Sequence, residues 1–303
     1  MRKVAVKQVD AFTQRPFTGN PAAIVCEADE LDREQMQAIA REMNVSETVF
    51  VLKATDPEAD MQIRWFTPTT EVDLCGHATI ACFHSLAEEG RFGLDEPADR
   101  FFQVQTRSGT LPVRVDRGAS GGVRVWFGLP IPRLRACHLD REDVAELLGT
   151  LPQSFDPRLP FAEFYSHAVI PVRSMAALQS LSPDAHGLAK LSRVTGVTGF
   201  CAITLETVSP RSLVHARFFA PSLGILEDPV TGSAQGPVGV YLWRHGVVAP
   251  EEGVVSYVGE QGDTIGRRGR VHVRVVVSDD SVEAVEVGGE AVTVLTGTLG
   301  LRE

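Results

Sequence analysis

The stretch VDLCGHATIA, Val72–Ala81, sets Cys75, Gly76 and His77 where an acidic, extended run gives way to small apolar residues. The segment that follows, ATIACFHSLA, is apolar or small nearly all round and too short to span a bilayer, so a helix built from it must be enclosed by protein. A second stretch, EDPVTGSAQG (Glu227–Gly236), opens a similar segment, SAQGPVGVYLW. The contexts also match. IRWFTPTTEVDLCGHATIACFHSLAEEG (Ile63–Gly90) parallels ARFFAPSLGILEDPVTGSAQGPVGVYLWRHG (Ala216–Gly246) in an aromatic strand, a Phe-x-Pro turn, an acidic loop, a glycine at the turn into the apolar segment, and a closing glycine. That is an internal duplication, not the short period of a solenoid.

Working outward, strand signals dominate. KVAVKQVDAF, ETVFVLK, MQIRWF, FFQVQT, TLPVRVD and GVRVWFGL are short runs with β-branched or aromatic residues and partial alternation. LDREQMQAIAREM reads as a helix with Met36, Ile39, Ala40 and Met43 on one face. GLPIPRLRA is a Pro-rich bridge, after which helical pieces (REDVAELLG, SMAALQS, PDAHGLAKLSRV) and strands (HAVIPVR, GFCAITLET, LVHARFFAP) repeat the plan. The remainder, from GVVSYVGE to AVTVLTGTL, is nearly all strand. Wrapping the strands of each half around its own buried helix gives the expected architecture, an α+β chain of two pseudo-symmetric lobes with a cleft between them. The first lobe spans 1–128, completed by about 290–303, and the second spans 129–289.

Composition narrows the function. The chain has 303 residues, 44% hydrophobic and 22% charged, enough for a real core. Its net charge of -10, without a basic run, argues against nucleic acid, which needs clustered Lys and Arg. GRRGR (Gly266–Arg270) reads as a solvated turn. No apolar run reaches membrane-spanning length, and the N-terminus lacks the apolar core of a secretion signal. A cytoplasmic location is expected. The five cysteines are odd in number and widely spaced, with no CxxC pair to suggest zinc, and no metal is expected.

Several residues could carry chemistry. Gly76-His77 and Gly232-Ser233 each stand at a predicted helix start, where unpaired N–H groups and a partial positive charge can bind a carboxylate. The bland alternative makes Ser233 an N-cap and Gly232 a turn residue; the repetition favours the functional one. Glu47, ahead of the apolar strand in NVSETVFV, would have a raised pKa suited to proton transfer, or else it forms with Ser46 a polar turn facing water. His77 could be base, acid or anion partner. Asp228 could hold an imidazole or a substrate amine, although Asp-Pro is also an ordinary turn. Cys75 could be a thiolate with a lowered pKa at a helix start. Cys82 is packing. Asn20, in FTGNPAAIV, could orient substrate or simply mark a turn.

Taken together, FTGNPAAIV, SETVFV, FTPTTEVDLCGHATIA and EDPVTGSAQGP resemble the phenazine-biosynthesis PhzF family of isomerases, in the diaminopimelate-epimerase-like superfamily, over essentially the whole chain. The resemblance implies two antiparallel β-barrels, each around a central helix. It also implies an active site between the lobes, no cofactor, and a homodimer acting on a small carboxylate metabolite. It implies that Glu47 shuttles a proton, that Gly76, His77, Gly232 and Ser233 bind the substrate carboxylate, that Asp228 assists, and that Asn20, with Ser46 and Cys75, lines the site. The family's founding reaction isomerises trans-2,3-dihydro-3-hydroxyanthranilate. Related racemases use one cysteine from each lobe. Here Cys75 holds the first position but Thr231 holds the second, and threonine is far too weak an acid to replace a thiol. Two rivals are a dehydratase or epimerase related to the proline racemases, with Cys75 as the base, and a catalytically silent small-carboxylate-binding protein.

Overall fold

Alternating apolar residues Val4 and Val6 give β1 (Arg2–Ala11) one buried face, and β2 (Asn20–Val25) returns beside it, antiparallel. The computed structural model describes residues 2–118 and 122–301; the expected first lobe also includes positions 1, 119–121, 302 and 303, which lie outside the described residues. Helix α1 (Arg33–Met43) starts at a capping box, Asp32 with Gln35, and stops at Asn44, which adopts a left-handed conformation. Its Met36, Ile39 and Ala40 are buried in a cluster with Val25, Phe50 and Phe66, and Met43 packs against that cluster. β3 (Glu47–Leu52), β4 (Met61–Phe66) and the two-residue β5 (Glu71–Val72) lead into α2 (Gly76–Glu88). β6 (Asp99–Thr106), β7 (Gly109–Arg117) and β8 (Val123–Leu129) follow.

The same order recurs. After β9 (Arg135–Ala136) and α3 (Arg141–Leu147) come β10 (Ala162–Phe164), β11 (His167–Pro171), α4 (Met175–Ser180) and α5 (Ala185–Thr195). Then come β12 (Gly199–Thr204), β13 (Val214–Ala220), β14 (Ile225–Asp228) and α6 (Gly232–Arg244). β15 (Val254–Gln261), β16 (Gly269–Ser278), β17 (Ser281–Gly289) and β18 (Ala291–Leu301) end the chain. Chain contacts divide it into two compact units: Met1–Gly128 with Gly288–Glu303, and Leu129–Val287. In the first, β18 pairs with β1 along its whole length.

The pairings repeat with the elements, but they are mixed, not purely antiparallel. β2–β3 and β4–β6 are parallel in the first unit, and β11–β12 and β13–β15 in the second. The cause is connectivity: each parallel pair is joined through a helix, which returns the chain to the starting end of the sheet. Ten of the thirteen residues of α2 are buried, as are ten of the thirteen of α6. α2 packs on β1, β2, β3 and β18, and α6 on β15 and β16, so each apolar helix is covered by the strands of its own unit. Among the described residues no helix is long and apolar enough to cross a membrane.

Candidate active site

In the first unit, the start of β3 and the start of α2 bring five of the expected residues together. Glu47 is the first residue of β3, Ser46 precedes it, Cys75 is the N-cap of α2, and Gly76 and His77 are its first two residues. Gly76 has no substitute: a Cβ there would lie 2.4 Å from Cζ of the buried Phe127. That close approach seats the helix start against β8. A Glu47 oxygen stands 3.2 Å from Nε2 of His77. Ser46 Oγ lies 3.1 Å from the same nitrogen and donates to the carbonyl of Pro21, 3.2 Å away. Cys75 Sγ lies 3.4 Å from Nδ1 of His77. Asn20, next to Pro21 at the start of β2, is fully buried. Glu47 Oε2 is also buried, yet no donor meets it with hydrogen-bond alignment, an uncommon state for a carboxylate oxygen.

The charges follow from these contacts, and they correct two expectations. Burial favours a protonated Glu47, but the charge and hydrogen bonding of His77, helped by Ser46 and Cys75, prevail and hold its pKa below the ordinary carboxylate value. Apolar surroundings alone predict a rise; the imidazole partner was not visible from the sequence around Glu47. Burial works against a charged His77, and the facing Cys75 and Glu47 groups override it, raising its pKa well above the ordinary value. Cys75 is not a thiolate poised by a helix dipole. Burial, reinforced by the Glu47 charge, pushes its thiol up to about 11. At neutral pH the thiol is therefore protonated, and the Glu47 carboxylate carries the counter-charge of the His77 imidazolium. The arrangement can accept a proton on Glu47 while the adjacent His77 steadies the carboxylate. Glu47, Cys75 and His77 also offer donor atoms all within 4.8 Å of one another, the one mixed cluster of this kind among the described residues.

The second unit gathers the other expected residues at the start of α6. The N-cap is Thr231, not Ser233, and its hydroxyl donates to Asp228 Oδ2 instead of capping the helix. Asp228, the last residue of β14, thus accepts from the hydroxyl of the helix N-cap. Gly232 and Ser233 are the first two helical residues. Sequence reasoning missed what holds this turn. Gln261, fully buried at the end of β15, accepts from Thr231 N at 3.2 Å and donates to Asp228 O and Thr231 Oγ1, both at 2.9 Å. Behind it, the buried Glu260 accepts from the backbone N–H groups of Val208 and Ser209, each at 2.8 Å, and lies 2.9 Å from His215 Nδ1. Burial would raise the pKa of Glu260, but these hydrogen bonds and the charge of Arg270 bring it down to about 2. The available signal was the polar pair Glu260-Gln261 closing an otherwise apolar strand.

A buried helix start carrying Glu47 beside His77, in a chain built of two repeated β–α units, belongs to an α+β fold of the diaminopimelate-epimerase-like kind. The profile of the phenazine biosynthesis-like protein family, PhzC-PhzF, matches residues 9–297. The chain therefore belongs to the PhzF family. It is 34% identical over 314 residues to an uncharacterised isomerase of Clostridium acetobutylicum, covering 100% of each chain. It is 33% identical over 291 residues to the trans-2,3-dihydro-3-hydroxyanthranilate isomerase of Pseudomonas aeruginosa, covering 95% of this chain and 96% of that one. A crystal structure of a Bacillus anthracis PhzF-family protein superposes with a TM-score of 0.89 at 30% identity, over 99% of this chain and 100% of that one.

Proposed function

We propose that this protein is an isomerase that moves a proton within a small carboxylate without a cofactor, with Glu47 as the shuttling group. The observation that carries this reading is the pairing of Glu47 with His77 at 3.2 Å, at a buried helix start. Glu47, ionised at rest, takes a proton from an activated C–H bond of the substrate and becomes the neutral acid. It then returns that proton to another carbon of the same conjugated system, so the carboxyl group ends as it began. The His77 imidazolium favours the ionised form of the base, and its N–H can follow the charge that develops in the substrate. The unpaired N–H groups at the start of α6, Gly232 and Ser233, are assigned to the substrate carboxylate, with Asp228 and Asn20 as polar contacts.

The finer assignment is trans-2,3-dihydro-3-hydroxyanthranilate as substrate, supported by the named activity of the Pseudomonas aeruginosa relative. A dehydratase using Cys75 as base is disfavoured, because a thiol titrating near 11 is almost wholly protonated at neutral pH. Homodimer formation and a cytoplasmic setting are carried over as part of the same proposal, and sedimentation velocity decides the first. The central test is a panel of small carboxylates, headed by dihydrohydroxyanthranilate, incubated with the protein in deuterium oxide. Enzyme-dependent gain of one mass unit supports proton shuttling. Tight binding by calorimetry with no exchange in any ligand would replace it with a binding protein.

A further inference from the structure

We propose that Glu47, Cys75 and His77 together form a capture site for a zinc-type divalent cation, and that the cation silences the site by occupying its acid–base groups. Three different donor types converge here: a carboxylate oxygen, a thiol sulfur and an imidazole nitrogen, all within 4.8 Å. The separations suit one ion. Glu47 Oε2 and Cys75 Sγ lie 3.2 and 3.9 Å from the same atom, His77 Nε2. Tetrahedral bonds of about 2.0–2.3 Å place neighbouring ligand atoms roughly 3.3–3.6 Å apart, so movements of a few tenths of an ångström would complete three corners. The donor set selects the metal class. Mixed sulfur, nitrogen and oxygen ligands suit zinc and cobalt, whereas magnesium and calcium take oxygen.

The site is also matched in charge and position. Cation entry displaces the Cys75 thiol proton and the His77 ring proton to solvent, leaving a thiolate and a carboxylate around a divalent ion. That is neutral overall, which suits a buried location. Glu47 Oε2, the buried oxygen without an aligned donor, gains a partner. Ser46 Oγ, 3.1 Å from the same imidazole nitrogen, stands beside the ion's position. The fourth corner stays open to water or to a substrate carboxylate. The captured ion engages the base itself, so turnover and metal binding exclude each other. This is a distinct claim from the proton-shuttle reading: it needs the same three side chains but no particular substrate.

Cobalt(II) added to the metal-free full-length protein tests it, because the readout is spectroscopic and independent of turnover. One equivalent should produce a near-ultraviolet thiolate-to-cobalt band with visible bands of tetrahedral intensity, and one equivalent of zinc should bleach both. Cys75→Ser, checked for folding by circular dichroism, should abolish the charge-transfer band. Glu47→Gln should keep the band but weaken cobalt binding at least about tenfold, the scale on which altered metal-site residues act. A band that survives in Cys75→Ser, cobalt bound without any thiolate band, or undiminished affinity in Glu47→Gln would each overturn the proposal. Loss of activity in the carboxylate panel would leave it standing, since the cobalt spectrum does not use that panel.

Discussion

The starts of α2 and α6 are built on one plan and put to different uses. On the strand before each, an arginine forks a glutamate across the hairpin: Arg64 with Glu71 at 2.7 and 2.9 Å, and Arg217 with Glu227 at 2.9 and 2.7 Å. Each guanidinium also lies over the phenylalanine two residues on, Arg64 at 5.2 Å from the Phe66 ring and Arg217 at 5.0 Å from the Phe219 ring. Register fixes the equivalences. Val72 pairs with Trp65 as Asp228 pairs with Phe218, and Thr48 pairs with Phe66 as Phe200 pairs with Phe219. Hence Asp228 corresponds to Val72, and Glu47 corresponds to Gly199. The first unit carries its acid at the start of β3, the strand that flanks the helix start; the second carries it at the end of β14, the strand that leads in. The space above Gly199 is filled by Phe218 and His167, whose ring is stacked edge-on by aromatic neighbours and driven by burial down to about 4. A neutral imidazole in an aromatic setting stands there in place of an ion pair. The duplication has kept its scaffold and lost its chemical symmetry, and the proposed single proton-transfer group rests on that difference.

The sharpest way to break this comparison is Glu47→Gln. The amide keeps the shape but cannot carry a proton, so kcat should fall by about 10²–10⁴, the scale of a general acid–base contribution. Carboxylate affinity, measured by calorimetry, should change little. Retained turnover would move the chemistry elsewhere. The next effect belongs to the second unit. Glu260→Gln removes the buried carboxylate that accepts from the Val208 and Ser209 N–H groups and faces His215 Nδ1, and should cost about 3 kcal/mol of stability in urea unfolding. The pH sign is definite. Glu260 titrates near 2 when folded, below the ordinary 4.5, so its stabilisation is present above pH 4.5 and is lost as pH falls from there towards 2. The variant should flatten the stability profile across that window and leave its shape at neutral pH unaltered. A smaller loss is expected at the counterpart of Glu47: Gly199→Ala sets a methyl 2.5 Å from the Phe218 ring and 2.6 Å from His167, costing roughly 1–3 kcal/mol by overpacking.

The fold was legible because its two decisive segments are abnormal in a way burial explains. ATIACFHSLA and SAQGPVGVYLW lack a polar face, and both became enclosed helices. The parallel pairings were not legible, since alternation reports which face of a strand is buried and says nothing about its neighbour's direction. At the site, the residue types of the SETVFV and LCGH blocks were readable, but their charges were not. Glu47 and His77 are thirty residues apart in sequence, and their contact at 3.2 Å, with Ser46 and Cys75 beside it, inverts the expected rise in the carboxylate's pKa. Cys75 was misread for the same kind of reason. The helix start that would favour a thiolate is itself buried and faces a carboxylate, and both oppose the charge. Gln261 was invisible, lying thirty residues beyond the turn it supports.

That glutamine gives the finest test of the contrast. In the first unit the helix-start groups contact one another, Cys75 with His77 and His77 with Glu47. In the second, the turn is held from outside, by one buried amide that satisfies Thr231 N, Thr231 Oγ1 and Asp228 O together. Gln261→Leu removes all three partners at nearly constant volume. The freed N–H and C=O can then turn away, and the start of α6 at Gly232 and Ser233 loses its support. On the proposed reading, in which Gly232 and Ser233 hold the substrate carboxylate and Glu47 moves the proton, KM should rise about tenfold, equivalent to roughly 1.4 kcal/mol, while kcat changes far less. Gln261→Glu keeps the acceptor for Thr231 N but loses both donated bonds, and its KM should fall between the parent and the leucine variant. Equal losses in kcat and KM would mean that the two helix starts do not divide binding from proton transfer, and the asymmetry drawn from Glu47 and Gly199 would lose its functional meaning.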